Sequence, residues 1–383
     1  MIKQDIPKIR FYSYQGSWTE NRIADIVKIS AGGDVDKVKL KESGKYPVIA
    51  NALTNKGIVG FYEDYKVKAP AVTVTGRGDV GYAVARHENF TPIVRLLTLQ
   101  SEKIDVDYLE NQINSMRILN ESTGVPQLTA PQLGNYKVYH PKIEEQSAIG
   151  TLFRTFDDLL SSYKDNLTNY QSLKATMLSK MFPKAGHTFP EIRLDGFEDE
   201  WEVKKLSEVS EVYDGTHQTP NYTESGVKFL SVENISTLES EKYISEEDFE
   251  KDFKVFPEFG DVLMTRIGSI GVPNIVKTNE KIAFYVSLAL LKPKKKTNSL
   301  FMKSSIESNP FQEELWKKTL HIAFPKKINK NDISRSTIKC PSYEEQQAIG
   351  AYFSNLDNFI NSHQEKISQL EILKKKLLQD MFI

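Results

Sequence analysis

The segment "EEQSAIGTLF", starting at Glu144, returns as "EEQQAIGAYF" at Glu344. Residues 144–182 match 344–382 without a gap at Glu144, Glu145, Gln146, Ala148, Ile149, Gly150, Phe153, Asp157, Ser162, Leu173, Lys174, Leu178, Met181 and Phe182, and Pro141 and Pro341 precede the two copies. A duplication that long forces the same local structure twice. It also extends backward. "PKIRF" (Pro7 to Phe11) with Trp18 corresponds to "PEIRL" (Pro190 to Leu194) with Trp201, and Gly32 to Gly215. Thr75, Gly78 and Gly81 correspond to Thr265, Gly268 and Gly271. The offset changes between these blocks, so the loops differ while the cores are related. The second copy stops at "MFI", and the "PKIR" that would follow it stands at the N-terminus instead. The expected layout is therefore quasi-circular: domain, helix, domain, helix, with the last helix ending where the first domain begins.

Both copies have helical periodicity. Ile149, Phe156, Tyr163, Tyr170 and Met177 recur every seven residues, with Leu152, Leu159, Leu173, Phe153, Leu160, Leu167 and Met181 filling the same stripe. The second copy supplies Ile349, Leu356, His363, Leu370 and Leu377, with Phe353, Ile360 and Ile367. No proline interrupts either stretch. Each predicts a rod of about 60 Å at ~1.5 Å per residue. Apolar heptads of that length require a partner helix. Two equivalent halves make the other copy that partner, in an antiparallel pair.

The regions between the helices are strand-rich. "APAVTVTGRGDVGYAVA" and "GDVLMTRIGSIGVPNIV" each read as two strands around a glycine-rich turn. "VKFLSVENI" and "SLALLKP" add further strands, and short helices are expected at Asp107–Ile118 and Leu300–Trp316. The fold class is α+β: two domains with twisted, mostly antiparallel sheets, separated by two long antiparallel coiled-coil helices in a pseudo-twofold, quasi-circular layout. The expected boundaries are 1–143 and 184–343 for the globular domains, and 144–183 and 344–383 for the helices.

Few chemistries survive a search of the 383 residues. "GRGDVG" at Gly76, Gly78 and Gly81 matches the dinucleotide pattern, but a strand-like "YAVARHENF" follows where a helix is required, and the second copy lacks the first glycine. "SNPF" at Ser308 lacks the second proline of the amino-methyltransferase tetrapeptide. His87, His140, His187, His217, His321 and His363 have no metal-ligand spacing with one another or with Cys340, and no Walker loop is present. A single cysteine excludes an internal disulfide and suits a reducing cytoplasm. No export signal or apolar span of membrane length is visible. The expectation is a soluble cytoplasmic protein without catalysis, metal or membrane contact. Net charge is −1, yet thirteen Lys and Arg face four Asp and Glu between Lys281 and Pro341. A balanced total can hide a basic face, and a nearby phosphate responds to local potential.

The order of domain, "EEQSAIG" helix ending "LKATMLSKMFP", domain, and "EEQQAIG" helix ending "LKKKLLQDMF" resembles the DNA-specificity subunit of type I restriction-modification systems. "YDGTHQTPNYTESGVKFLSVENI" and "GDVLMTRIGSIG" resemble parts of that family's target-recognition domains. The first domain departs most, with "SAGGDVDKVKLKESGKYPVIANA" in place of the "DGTHQTP" form. The resemblance implies a non-catalytic, bacterial phage-defence protein. Each domain would read one half of a split, asymmetric double-stranded DNA site, with the helices as spacer. It implies two methyltransferase (modification) subunits and two restriction (translocase and nuclease) subunits as partners. S-adenosylmethionine, ATP and Mg would sit on those partners, with no cofactor in this chain.

Base reading needs donors and acceptors at groove edges and cations at phosphates. The loop candidates for DNA binding are Thr75, Arg77, Asn120, Ser122, Thr123 and Gln127 in the first half. In the second they are Thr216, His217, Gln218, Thr219, Tyr222, Arg266, Ser269, Lys326 and Lys327. Candidates for helix pairing or partner docking are Ile149, Phe153, Phe156, Leu160, Tyr163, Ile349, Phe353, Leu356, Ile360 and Leu370. Competing readings are a stand-alone methyltransferase or nuclease, a coiled-coil scaffold with no DNA role, and an adaptor of another modification complex. The missing cofactor motifs count against the first, and the basic stretch against the second.

Overall fold

The computed structural model describes residues 6–116, 118 and 126–382. The chain divides into two compact units: residues 1–165 with 365–383, and residues 166–364. Each therefore contains one strand-rich region and a segment of both long helices, which run Ile143–Lys180 and Tyr343–Met381.

In the first unit, strand Thr19–Arg22 pairs antiparallel with Lys137–His140. A four-stranded antiparallel sheet has the order Lys28–Ala31, Leu96–Gln100, Ala71–Thr75, Ala83–Arg86. A three-stranded sheet places Tyr46–Ile49 between Ile58–Tyr62, antiparallel, and Thr91–Pro92, parallel. The second unit repeats the plan. Glu202–Lys205 pairs with Thr337–Cys340. The four-stranded antiparallel order is Ser210–Asp214, Leu288–Pro293, Val262–Thr265, Pro273–Ile275. Val227–Leu230 sits between Tyr243–Ile244, antiparallel, and Ile282–Phe284, parallel. The sheets are mostly antiparallel, as the paired runs around glycine-rich turns predict.

Two expected short helices differ in detail. The first is Val106–Ser115. The second is broken into Ser299–Glu307 and Asn309–Lys318, because Ser308 is extended (φ −67°, ψ 147°) and Pro310 begins a new first turn.

Within each unit the helix segments run antiparallel. In the first, Lys374 pairs with Asp157, and Lys164 with Glu371 at 2.7 Å. In the second, Lys174 pairs with Asp357 at 2.6 Å, and the Tyr170 ring stacks on Phe359 at 5.3 Å. The residue numbers rise on one helix as they fall on the other.

The "MF" ending of each helix plugs a core. Phe182 packs 5.9 Å from Trp201 and 5.8 Å from Phe353. Phe382 packs 5.4 Å from Tyr108 and 5.7 Å from Phe153. The Ile192 amide donates to the Lys180 carbonyl (3.0 Å), and the Ile9 amide to the Asp380 carbonyl (2.9 Å). One junction is reached through a continuous linker and the other through the two chain ends, which is the quasi-circular arrangement.

Candidate nucleic-acid interface

In each unit the glycine-rich turn and the segment before the last short helix lie side by side. The Gly78 amide donates to the Pro126 carbonyl at 3.1 Å and the Leu128 amide to Gly76 at 2.9 Å. In the second unit, Gly268 donates to Lys326 at 2.9 Å and Ile328 to Arg266 at 3.0 Å. Gly78 and Gly268 stand at the tips, with φ of +76° and +83° and open space where a side chain would project. Positive φ alone accounts for these glycines. The strand ends at Ala31 and Thr75, and at Asp214 and Thr265, lie at the same end of their four-stranded sheets. Loops 32–33 and 76–80, and loops 215–219 and 266–271, therefore converge on one end of each sheet.

The candidates separate into supports and projections. Thr75 is buried: its hydroxyl donates to the Asp79 carbonyl and accepts from the Tyr82 amide at 2.9 Å. Thr265 accepts from the Val272 amide at the same distance. Arg266, read from sequence as a base or phosphate contact, is 6% exposed. Its guanidinium pairs with Asp214, and its Nε donates to the Ile328 carbonyl at 3.1 Å. Burial lowers its pKa from the ordinary arginine value, and Asp214 is its counter-charge. These side chains hold the loops in place. Thr216 is half-buried and closes its own turn through the Gln218 carbonyl. Arg77, Gln127, His217, Gln218, Thr219, Ser269, Lys326 and Lys327 are exposed at the converging loops. Tyr222 lies apart, edge-on to Phe229 of the three-stranded sheet, with Lys242 over its ring. Asn120, Ser122 and Thr123 lie outside the described residues.

Sequence reasoning passed over Asn51. Its Oδ1 accepts from the Gly76 amide (2.6 Å) and the Arg77 amide (3.2 Å), fixing the first turn from a neighbouring loop. Nothing in its local sequence marks it, because the contact is made between residues far apart in the chain.

The repeated "EEQ" has an internal use that periodicity does not reveal. Glu145 receives a two-pronged bond from Arg10, at 2.7 Å to each oxygen, and Glu345 the same from Arg193 at 2.8 Å. The Gln146 carbonyl oxygen accepts from the Asp105 amide (2.9 Å), and Gln346 accepts from Asn298 (3.0 Å). A side chain at Gly150 or Gly350 would meet the helix cap at Asp105 or Asn298 at 2.7–2.8 Å. The motif locks each long helix to its own domain.

Of the helix candidates, Ile149, Phe153, Leu160, Ile349, Phe353 and Leu356 are buried, and Phe156, Tyr163, Ile360 and Leu370 are half-buried. Leu159 and Leu173, placed in the apolar core stripe by periodicity, are instead 41% and 39% exposed. Their counterparts Phe359 and Leu373 are 51% and 46% exposed. By the ion-pair register, Leu159 and Leu373 stand at one level in the first unit, and Phe359 and Leu173 at one level in the second.

Cys340 is buried and its thiol is pushed up to about 12 by burial, the reverse of an activated nucleophile. Among the described residues no cluster of three His, Cys, Asp or Glu could hold a metal, and no helix is long and apolar enough to cross a membrane.

Known proteins match this architecture along the whole chain. A family model, the type I restriction modification DNA specificity domain, matches residues 15–169 and again residues 198–372. The type I restriction enzyme MjaVIII specificity subunit of Methanocaldococcus jannaschii is 23% identical over 394 residues, covering 94% of this chain and 91% of that one. The putative type I specificity subunit S.MpnORF507P of Mycoplasma pneumoniae is 26% identical over 133 residues, covering 33% and 37%. The S subunit of a type I restriction-modification system from M. genitalium has the same fold, with a TM-score of 0.71 at 15% identity over 99% of both chains. With two copies of the family domain, each centred on one unit, the chain belongs to the type I restriction-modification DNA specificity family.

Proposed function

We propose that each unit reads one half of a bipartite, asymmetric double-stranded DNA site, while the paired helices set the spacer and seat two identical methyltransferase subunits. The carrying observation is the contrast between what the duplication keeps and what it varies. The Arg–Glu fork, the glutamine bridge, the Asp–Lys pair and the exposed apolar pair occur once per unit. The residues projecting from the converging loops differ: Arg77 and Gln127 in one, His217, Gln218, Thr219, Ser269, Lys326 and Lys327 in the other. Equal helix surfaces suit equal partners, and unequal loops suit unequal half-sites. Leu159 with Leu373, and Phe359 with Leu173, are the proposed seats for the two modification subunits. Restriction subunits would join through that assembly.

On this reading the chain contributes no catalysis. S-adenosylmethionine, ATP and Mg belong to the partners. Methylation sequencing of a host genome with and without this chain tests the reading. A bipartite motif modified only when the chain is present is the expected result, and an unchanged methylome would overturn it. Stoichiometric binding of S-adenosylmethionine to the pure chain in calorimetry would contradict the assignment of the cofactor to a partner.

A further inference from the structure

Residues 316–327 of the second unit, "WKKTLHIAFPKK", run from the last turn of the helix Asn309–Lys318 into a loop, and their surface is unusual. Ile322 is 100% exposed and Phe324 103%, as open as in an extended chain. Trp316 and Leu320 are 59% and 39% exposed beside them. Isolated apolar residues on a surface are ordinary, but four exposed within nine residues, at the end of a helix and on the loop that follows, are a concentration that calls for an explanation. From Trp316 to Lys330 there are five lysines and no acid.

The base of the loop is fastened. The Leu320 amide donates to the Lys327 carbonyl at 2.8 Å and the Ala323 amide to Leu320 at 3.3 Å. His321 Nε2 lies 2.9 Å from the Trp316 carbonyl, and Lys326 Nζ sits 5.0 Å over the Trp316 ring. The loop also borders the glycine-rich turn through the bond from Gly268 to Lys326, and a cleft of about 180 Å³ lined by Gly268, Ile270, Gln312, Leu315, Trp316 and Lys326 lies between them. A fastened base, a bare apolar tip and lysines on both sides, set beside a candidate reading turn, fit a polyanion with apolar features between its charges. Duplex DNA has that chemistry: phosphates at the groove edges, and thymine methyl groups or the faces of parted bases within.

We propose that Ile322 and Phe324 are the apolar base-contacting tip with which the second unit reads its half-site, flanked by Lys326 and Lys327 on the phosphates. The inference rests on the reading of this unit as DNA-recognising and adds the residues and the kind of contact. Both side chains are free of the fold, so serine can replace them without opening a cavity.

The test uses the complete complex with modification subunits, on labelled duplexes carrying the methylated motif or a scrambled one. The double variant I322S/F324S should assemble like the wild type. It should bind the motif duplex at least roughly tenfold more weakly, as expected for losing a base-specific contact, and bind the scrambled duplex within about twofold of wild type. K326A/K327A should weaken both duplexes and flatten the salt dependence. Two further duplexes identify the contact: uracil for thymine lowers affinity if methyl groups are touched, and 2-aminopurine brightens if a base step is parted. Unchanged motif affinity for I322S/F324S would overturn the proposal. So would failure of the variant to assemble, because the tip would then be a protein contact. A wild-type complex that does not distinguish the two duplexes would instead count against the DNA-reading function itself.

Discussion

Arg10 and Glu145 carry the joint between the first domain and its helix, and both are largely shielded, at 13% and 2% side-chain exposure. Breaking a shielded ion pair leaves one charge unpaired and costs about 3 kcal/mol or more. Arg10→Ala should therefore lower the stability of the first unit by about that much in urea unfolding, while Arg22→Ala, whose pair with Asp25 is exposed, should change it far less. Equal effects would show that the fork is not the joint. Glu110 is a second informative residue. Asp105 and Asn298 both cap helices and both donate to a glutamine, so Glu110 stands where the second unit has Lys303 and Asn114 where it has Glu307. In the second unit Lys303 and Lys174 each bridge Glu307 and Asp357, and four charges cancel. In the first, Glu110 faces Asp157 on one long helix and Lys374 on the other, with Asp107 on its own helix and the Ala85 backbone beside it. Burial first, then Asp157, pushes its carboxyl up to about 7 from an ordinary 4.5. Between those values the folded chain holds a proton that the unfolded chain has released, so stability falls as pH rises through the window. Glu110→Gln should remove that slope between pH 5 and 7 and raise the unfolding free energy at pH 8 by roughly 2 kcal/mol. A slope unchanged in denaturation curves at the two pH values would rule Glu110 out as its source.

Among the elements, the long helices and paired strands were legible because their signals are local: heptads without proline, and strand-like runs on either side of a glycine-rich turn. The break at Ser308 was legible too, in the proline of "SNP", but Leu300–Trp316 was read as one helix. What periodicity could not separate was which apolar positions face the partner helix and which face outward. Leu159 and Phe153 lie six residues apart in one stripe, yet one is 41% exposed and the other buried. Only the packing seen in the structure settles it. The loop residues were harder still. Thr75 and Arg266 look like ideal polar contacts in sequence, but their partners Asp79, Tyr82, Asp214 and Ile328 turn them inward. Asn51 and the Arg10–Glu145 fork join residues far apart in the chain, so no window of sequence contains them. The exposed pairs lead to a prediction at this scale. Leu159→Asp with Phe359→Asp should leave the chain folded, since both residues are largely exposed and only the Phe359 stack on Tyr170 is lost, and should abolish capture of modification subunits in size-exclusion chromatography. A complex of unchanged size would move the docking surface elsewhere.

The molecule as a whole is a duplicated plan with unequal loops, and the two functions proposed for it should separate. Adding four residues to both long helices, after Asp165 and after Gln364, lengthens each by one turn, or ~6 Å. DNA rises ~3.4 Å per base pair along a strand. If the helices set the spacer, the gap in the methylated motif should widen by roughly one to two base pairs with both half-sites unchanged. An active complex with the original gap would leave the helices as partner seats only. The proposed division of labour between the units is tested most directly by exchange. Residues 19–140 hold the first unit's sheets and loops but neither Arg10 nor Glu145, so the equivalent segment of a relative can replace them with the joint intact provided that it keeps Asp105, which bridges to Gln146, and Tyr108, which packs on Phe382. Single-molecule methylation sequencing of cells carrying the chimaera should show one half of the motif replaced and the other half unchanged. A motif in which both halves change, or an active chimaera in which neither does, would contradict the account.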